Sequence, residues 1–431
     1  MKRIYSIYLL FFLLVACQSG EKRLSTEELA QKVRENESIA FTKQKAREVV
    51  KTGFNAGDGY REVWIRDYNT FIELAAELYD PAELKENLLV FFRMQGDDGN
   101  ILDGFTPRED TIIRYDFTYT EMAPNYAGHK NTVETDQETS LVQTVYKYIK
   151  ATGDQPILDE QIGDMTVAQR LEAAMEFLIT NRYVASHSLL WGATTADWGD
   201  VQPEHGWGVD LDENTHRAID IYDNAMFIIA LDNLMEMIPS SRTRWEVVRD
   251  EVFKSCRKHL WDKENQKFIP HIYLEGSPFP DDFNENEIYY FGGTAIAIEA
   301  SLLSVPEIEH SLNEMVKRAK EAGAPSIGLT LYPPYPEGFF ENQIMNPEYS
   351  YQNGGDWTWF GGRMIQQLVR YGFLQEAYEQ LLPMTERVLE NDGFYEWYSI
   401  NNEPRGSGTF RGSAGVLYVA IEQLERALAN E

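Results

Sequence analysis

Apolar residues recur at intervals of three and four along most of the chain. That spacing predicts helices over roughly 27–50, 67–79, 81–94, 135–151, 166–181, 219–237, 241–259, 292–302, 307–323, 356–371, 374–390 and 411–428. Between them, short turns alternate with long connections rich in aromatics and glycine. From Ile219 to Met237, the residues Ile221, Ala225, Phe227, Ile228, Leu231 and Leu234 crowd onto one broad face, as a helix flanked by neighbours on several sides requires. Pro239 and Ser240 then break the pattern ahead of a more amphipathic segment. The alternation predicts an all-α fold in which helical hairpins close into a ring, a single domain over residues 30–431. No internal period is strict enough to specify a tandem solenoid.

The first residues depart from this pattern. Lys2 and Arg3 precede an apolar run from Ile4 to Ala16, too short for an ordinary transmembrane helix, and the run ends in Leu14-Val15-Ala16-Cys17. This predicts an export signal over residues 1–16 of bacterial lipoprotein type, with Cys17 the lipidated residue and 17–29 a tether. An uncleaved apolar leader is the alternative. Gln18, after Cys17, is compatible with the outer membrane, facing the periplasm or the cell surface. Cys256 is the sole other cysteine, so an exported chain folds without an internal disulfide. The 69 acidic and 39 basic residues give a formal charge of -30, which repels nucleic acid and anionic lipid. No nucleic-acid partner is therefore expected, and membrane contact only through the anchor. With 43% apolar and 13% aromatic residues among 431, a disordered polymer is excluded.

The unusual chemistry sits in the connections Gly57–Asp67, Trp191–Asp212, Tyr349–Arg363 and Asn391–Gly415. Aromatics beside carboxylates suit a carbohydrate, whose ring faces stack and whose hydroxyls take hydrogen bonds. In Trp64-Ile65-Arg66-Asp67 the arginine fork and the carboxylate either clamp sugar hydroxyls or form a helix cap with an ion pair. Asp197 and Asp200 flank Trp198, and a carboxyl held against that ring keeps its proton as a general acid needs; either is otherwise an ordinary loop acid. Glu396 lies between Tyr395 and Trp397, a costly place for a charge unless it faces a polar cleft as a base or pairs with Arg405 or Arg411. Metal and cofactor signals are weak: His205 and His216 define no ligand set, and Asp281, Asp282, Asn284 and Glu285 fit a solvated acidic loop better than a calcium site. No metal and no cofactor are expected. The pairs Gly292-Gly293 and Gly361-Gly362 fit close packing at helix starts.

Taken together these segments resemble the six-hairpin glycoside hydrolases, the group that contains glucoamylase, trehalase, neutral invertase and the processing or debranching α-glucosidases. Trp64-Ile65-Arg66-Asp67 resembles their terminal-sugar segment, and Val133 to Glu138, with Glu134 and Asp136, resembles the acidic lead-in to the next inner helix. Ala196-Asp197-Trp198 resembles the region of their general acid, Tyr351 to Trp357, with Asp356, the late N-G-G-x-W segment, and Glu396 with Gly408, Phe410 and Ser413 the region of the base. The resemblance implies an (α/α)6 toroid and inverting hydrolysis of an α-linked oligosaccharide, glucose being the leading sugar. Asp197 is the preferred acid and Asp200 its alternative, with Glu396 as base at about 6.5–9.5 Å from the acid. Trp64, Trp198, Trp357 and Trp397 are the stacking candidates. Here the acid precedes the tryptophan, whereas an aromatic or methionine more often precedes the acid, so Asp200 stays open. The competing readings are a toroidal α-mannosidase, a lyase or epimerase built on His205 or Tyr222, and a lipid-anchored glycan-binding protein working with glycan-uptake partners.

Overall fold

Local chemistry sets most helix boundaries. Ser304 with Glu307 and Thr166 with Gln169 form reciprocal capping boxes, while Gly153 and Gly323 end their helices in left-handed backbone. The computed structural model describes residues 23–111 and 115–430; the expected export signal, Cys17 and the first part of the tether lie outside them. Its helices are α1 (Thr26–Glu35), α2 (Glu37–Val50), α3 (Ile65–Leu78), α4 (Pro81–Arg93), α5 (Gln137–Thr152), α6 (Val167–Asn181), α7 (Ile221–Met237), α8 (Arg242–Ser255), α9 (Phe291–Glu299), α10 (Val305–Ala322), α11 (Thr358–Arg370), α12 (Leu374–Asn391) and α13 (Arg411–Asn430).

Three boundaries differ from expectation. The segment 27–50 is two helices, because Asn36 leaves helical geometry and its side chain accepts the Ile39 N–H, starting a new helix. Residues 256–260 continue α8 as a wider π turn, and α9 stops at Glu299, just before Ser301 turns to a φ of 60°.

The helices α3, α5, α7, α9, α11 and α13 each pack on the next, and α13 packs back on α3. This closes an inner ring, the (α/α)6 toroid. α4, α6, α8, α10 and α12 return outside it, and α2, packed on α12 and α13, completes the sixth hairpin from the opposite end of the chain. Burial follows position. Every residue of α7 from Ile221 to Leu231 is buried, whereas outer α10 buries one stripe of Ile308, Ser311, Leu312, Met315 and Ala319. The β structure is confined to short ribbons in the connections, the longest joining β1 (Val63–Trp64), β2 (Gly104–Pro107) and β3 (Tyr126–His129).

All six inner helices run the same way around the ring. Their N-termini and the long connections that feed them gather at one end of the toroid. At the α3–α13 contact the two backbones nearly touch, since a Cβ on Gly415 would sit 2.4 Å from the Cα of Phe71. Gly415→Ala should therefore cost about 1–3 kcal/mol through overpacking and lower the thermal midpoint by several degrees. An unchanged melting curve would mean that this contact is looser than described.

Candidate active site

Arg66, in the first turn of α3, is buried beneath the centre of the ring end. Its Nε donates to Asp136 Oδ2 at 2.9 Å, its Nη1 to Glu134, and its Nη2 to the Trp198 carbonyl at 2.7 Å. Asp136 also accepts the Tyr222 hydroxyl at 2.6 Å, and Glu134 accepts from Gln137 at 2.8 Å. One guanidinium thus ties α3, the lead-in to α5 and the connection carrying Trp198 and Asp200. Above it lies a cavity of about 270 Å³.

Of the predicted site residues, Trp64, Arg66, Asp67, Glu134, Trp198, Asp200, Trp357 and Glu396 line this cavity. Asp67 does not cap α3: its N-cap position is Trp64, with no side-chain cap bond, and Asp67 Oδ1 is buried without a protein partner. Burial, reinforced by Glu396 and Asp200 against the pull of Arg66, pushes the Asp67 carboxyl up to about 7. Glu396 is also buried. Its Oε1 accepts the Tyr60 hydroxyl at 2.9 Å and its Oε2 the Ser407 N–H at 3.3 Å. Burial raises it above the ordinary glutamate range, opposed by the Tyr60 and Ser407 bonds. The expected arginine pairing of Glu396 does not form: Arg405 bonds Glu403, and Arg411 bonds Asn55 and Thr52. The turn at Gly406, with φ of 69°, lies so close that a Cβ would fall 2.3 Å from Glu396 Oε2.

Asp200 faces Glu396's cavity from the connection after α6. Its Oδ1 is buried without a protein partner, and burial raises its carboxyl above the ordinary range, opposed by Arg66 and Gln352. Asp197 is placed differently. Its backbone is left-handed, and its two carboxylate oxygens accept the N–H groups of Gly292 and Gly293 at 2.7 and 2.8 Å. It therefore closes the N-terminus of α9 and does not line the cavity. The glycine pair permits this approach, because a Cβ on Gly292 would collide with the Trp198 ring.

Three further expectations fall outside the cavity lining. Asp136 lies under the floor as the second anchor of Arg66. Asp356 is fully buried, accepts from Arg387 at 2.9 Å and Ser326 at 2.7 Å, and exchanges backbone bonds with Tyr398. Trp397 packs against Tyr351 instead of facing the cavity. His205 and Tyr222, the residues an epimerase or lyase would centre on, are likewise off the cavity wall: His205 pairs with Asp212, and Tyr222 points to Asp136.

The cavity also holds residues the sequence did not single out. Asp103, just before β2, is buried, and desolvation pushes it up to about 8. Tyr60, His129, Gln352 and Trp359 complete much of the lining. Burial lowers His129 to about 4, so it is neutral at pH 7. The only available signal for Tyr60 is its place in an aromatic, glycine-rich connection; Asp103 and His129 carry none, since strand pairing with β1 and β3 brings them in.

Two measurements follow from this geometry. Asp197→Asn keeps one acceptor and loses the other, so it should cost about 1–2 kcal/mol in stability while leaving turnover within a few-fold of wild type. A collapse of turnover in the folded variant would return Asp197 to the chemistry. Asp67 and Asp103 bind protons more tightly when folded than unfolded, so stability should fall as pH rises from about 4 to about 8. Asp67→Asn should flatten that slope in urea titrations at pH 5 and pH 8.

Comparison with known proteins agrees with this architecture. The family model described as the glycosyl hydrolase 94 superfamily, catalytic domain, matches residues 36–287, more than half of the chain. An N,N'-diacetylchitobiose phosphorylase from Vibrio furnissii is 25% identical over 159 residues, 35% of this chain and only 18% of that relative's length. Among solved structures, the GH63 mannosylglycerate hydrolase from Thermus thermophilus, in complex with Tris and D-glycerate, superposes with a TM-score of 0.61 at 16% identity, covering 88% of this chain and 99% of that one. A rhamnosidase from Klebsiella oxytoca with rhamnose bound gives 0.59 at 12% identity, over 90% of this chain and 64% of that one. At such identities the likeness speaks for the fold, and the family match speaks for the ancestry. The chain belongs to the glycosyl hydrolase 94 superfamily and has the (α/α)6 toroid of the six-hairpin glycosidases.

Proposed function

We propose that the chain hydrolyses α-linked oligosaccharides, α-glucosides foremost, with inversion, using Asp200 as general acid and Glu396 as general base. The observation that carries this reading is that both carboxyls face one cavity while Asp197 has both oxygens committed to α9. Burial favours the protonated form of Asp200, the form that delivers a proton to the glycosidic oxygen. Glu396 removes a proton from water as the water oxygen attacks the anomeric carbon from the opposite face. Tyr60, whose phenol burial keeps protonated, holds the Glu396 carboxylate in place. Asp67 and Glu134 offer acceptors to the sugar hydroxyls, and Trp64 and Trp357 offer ring faces.

A phosphorylase reading draws on the Vibrio relative's name. Phosphate is already an anionic nucleophile and needs no base, and a buried Glu396 on the attacking side would repel it. Water is therefore the favoured nucleophile. The name of the Thermus protein makes mannosides the second sugar class to test. We also propose that the chain is exported and anchored by a lipid on Cys17, with the outer membrane as its location.

Glu396→Gln and Asp200→Asn should each lower kcat by about a hundredfold to ten-thousandfold with folding intact. The pH profile of kcat/KM should fall on the acid side as Glu396 protonates and on the alkaline side as Asp200 loses its proton. A proton NMR time course on α-glucosides and α-mannosides, with and without inorganic phosphate, reads the rest. Early β-anomer without phosphate is expected; product that appears only with phosphate, or as the α-anomer, would overturn the assignment.

A further inference from the structure

The first described residues are fixed to the end of the toroid opposite the cavity. Leu24 N–H donates to Gln375 Oε1 at 2.9 Å, and Arg23 pairs with Glu376 at 3.8 Å. Gln375 and Glu376 open α12, directly after the turn that leaves the C-terminus of α11. The N-terminus of α11 is at the cavity, where Trp357 and Trp359 line the wall, so its C-terminus marks the far face. The chain therefore meets the ring at its rear. There a separate basin of about 550 Å³ opens, lined by Lys147, Arg363, Arg370 and Arg426 together with Glu73 and Glu299, the last paired with Arg363.

We propose that this rear face is the one that meets the lipid bilayer, so that the catalytic cavity opens away from the membrane. The inference rests on the reading of Cys17 as a lipid anchor. Covalent geometry supplies the constraint. Six residue steps separate Cys17 from Arg23, a reach of about 20 Å at full extension. The inner wall is taller: α13, with 20 residues, spans about 30 Å, and the long connections stand above the helix N-termini. A tether rooted at the rear cannot reach past the wall to lay the mouth against lipid. The rear rim carries exposed Arg370 in the last turn of α11 and exposed Arg426, about one turn before the end of α13 and paired with Glu422. The consequence for substrate is that the enzyme takes glycans arriving from the aqueous side, and not glycans linked to lipids of its own membrane.

The test uses the full chain, lipidated in a bacterial host and reconstituted in vesicles of phosphatidylethanolamine and phosphatidylglycerol carrying a headgroup-attached energy acceptor. Donor dyes are placed at the rear by Arg426→Cys and at the mouth by Glu403→Cys, both exposed positions, while Cys256 is buried. Energy transfer at least twofold higher from the rear dye is the expected result. Equal transfer, or more from the mouth, overturns the orientation while leaving the anchor intact. Flotation of the vesicles and the mass of the N-terminal peptide read the anchor separately. A chain that neither floats nor carries a diacylglyceryl group at Cys17 defeats the anchor reading, and the orientation with it.

Discussion

The buried pairing of Arg66 with Glu134 and Asp136 is the constraint around which the catalytic end is organised. Those two carboxylates and the Trp198 carbonyl belong to segments far apart in sequence, and the planar guanidinium gives each a separate donor. Trp198 is fixed in turn by stacking on Phe360, ring centroids 4.4 Å apart, and by edge contacts with Trp357 and Trp359. Asp200, two residues further on, inherits its position from that framework. Removing Arg66 would leave two buried acids without their countercharge, a loss of about 3–5 kcal/mol by analogy with other buried pairs, before any effect on sugar binding.

So many acids at one place need a wider explanation than one arginine. The ring supplies it: six inner helices present their N-termini to this end, each with N–H groups that lack an intrahelical partner and a partial positive charge. Asp197 is the direct case, bonded to the first amides of α9. Burial favours the protonated forms of the cavity acids, which is why Asp67, Asp103, Asp200 and Glu396 all titrate above their ordinary ranges. The proposed reaction needs Asp200 protonated and Glu396 ionised, and two carboxyls in unlike surroundings suit such paired proton transfer. The toroid thus contributes to the electrostatics as well as to the shape.

The helical wall is legible in the sequence because apolar spacing reports burial directly, as in α7. The site is legible only in part. Glu396 is recognisable because aromatics on both sides make its charge conspicuous. The choice between Asp197 and Asp200 is not, because it depends on whether a loop brings a carboxylate to the start of α9, a contact spanning nearly 100 positions. Asp356 and Asp136 look like ligand-facing acids in a linear reading; only the fold reveals that Arg387 and Arg66 already occupy them. Asp103 escapes for the opposite reason, since nothing beside it in sequence is unusual, and Tyr60 is one aromatic among several in its connection.

The sixth hairpin, made from α2 and α13, has a kinetic consequence. Arg411 and Thr52, 359 positions apart, bond across this seam, and so do Tyr60 and Glu396, 336 positions apart. Contacts of such separation carry the largest loop-closure entropy and form late in a folding reaction. The hydroxyl that orients the base therefore arrives only when the circle shuts. An open horseshoe with five hairpins formed could hold the Arg66 framework and Asp200 but would lack the oriented base, so catalysis would report on the closing of the ring and not on the bulk of folding.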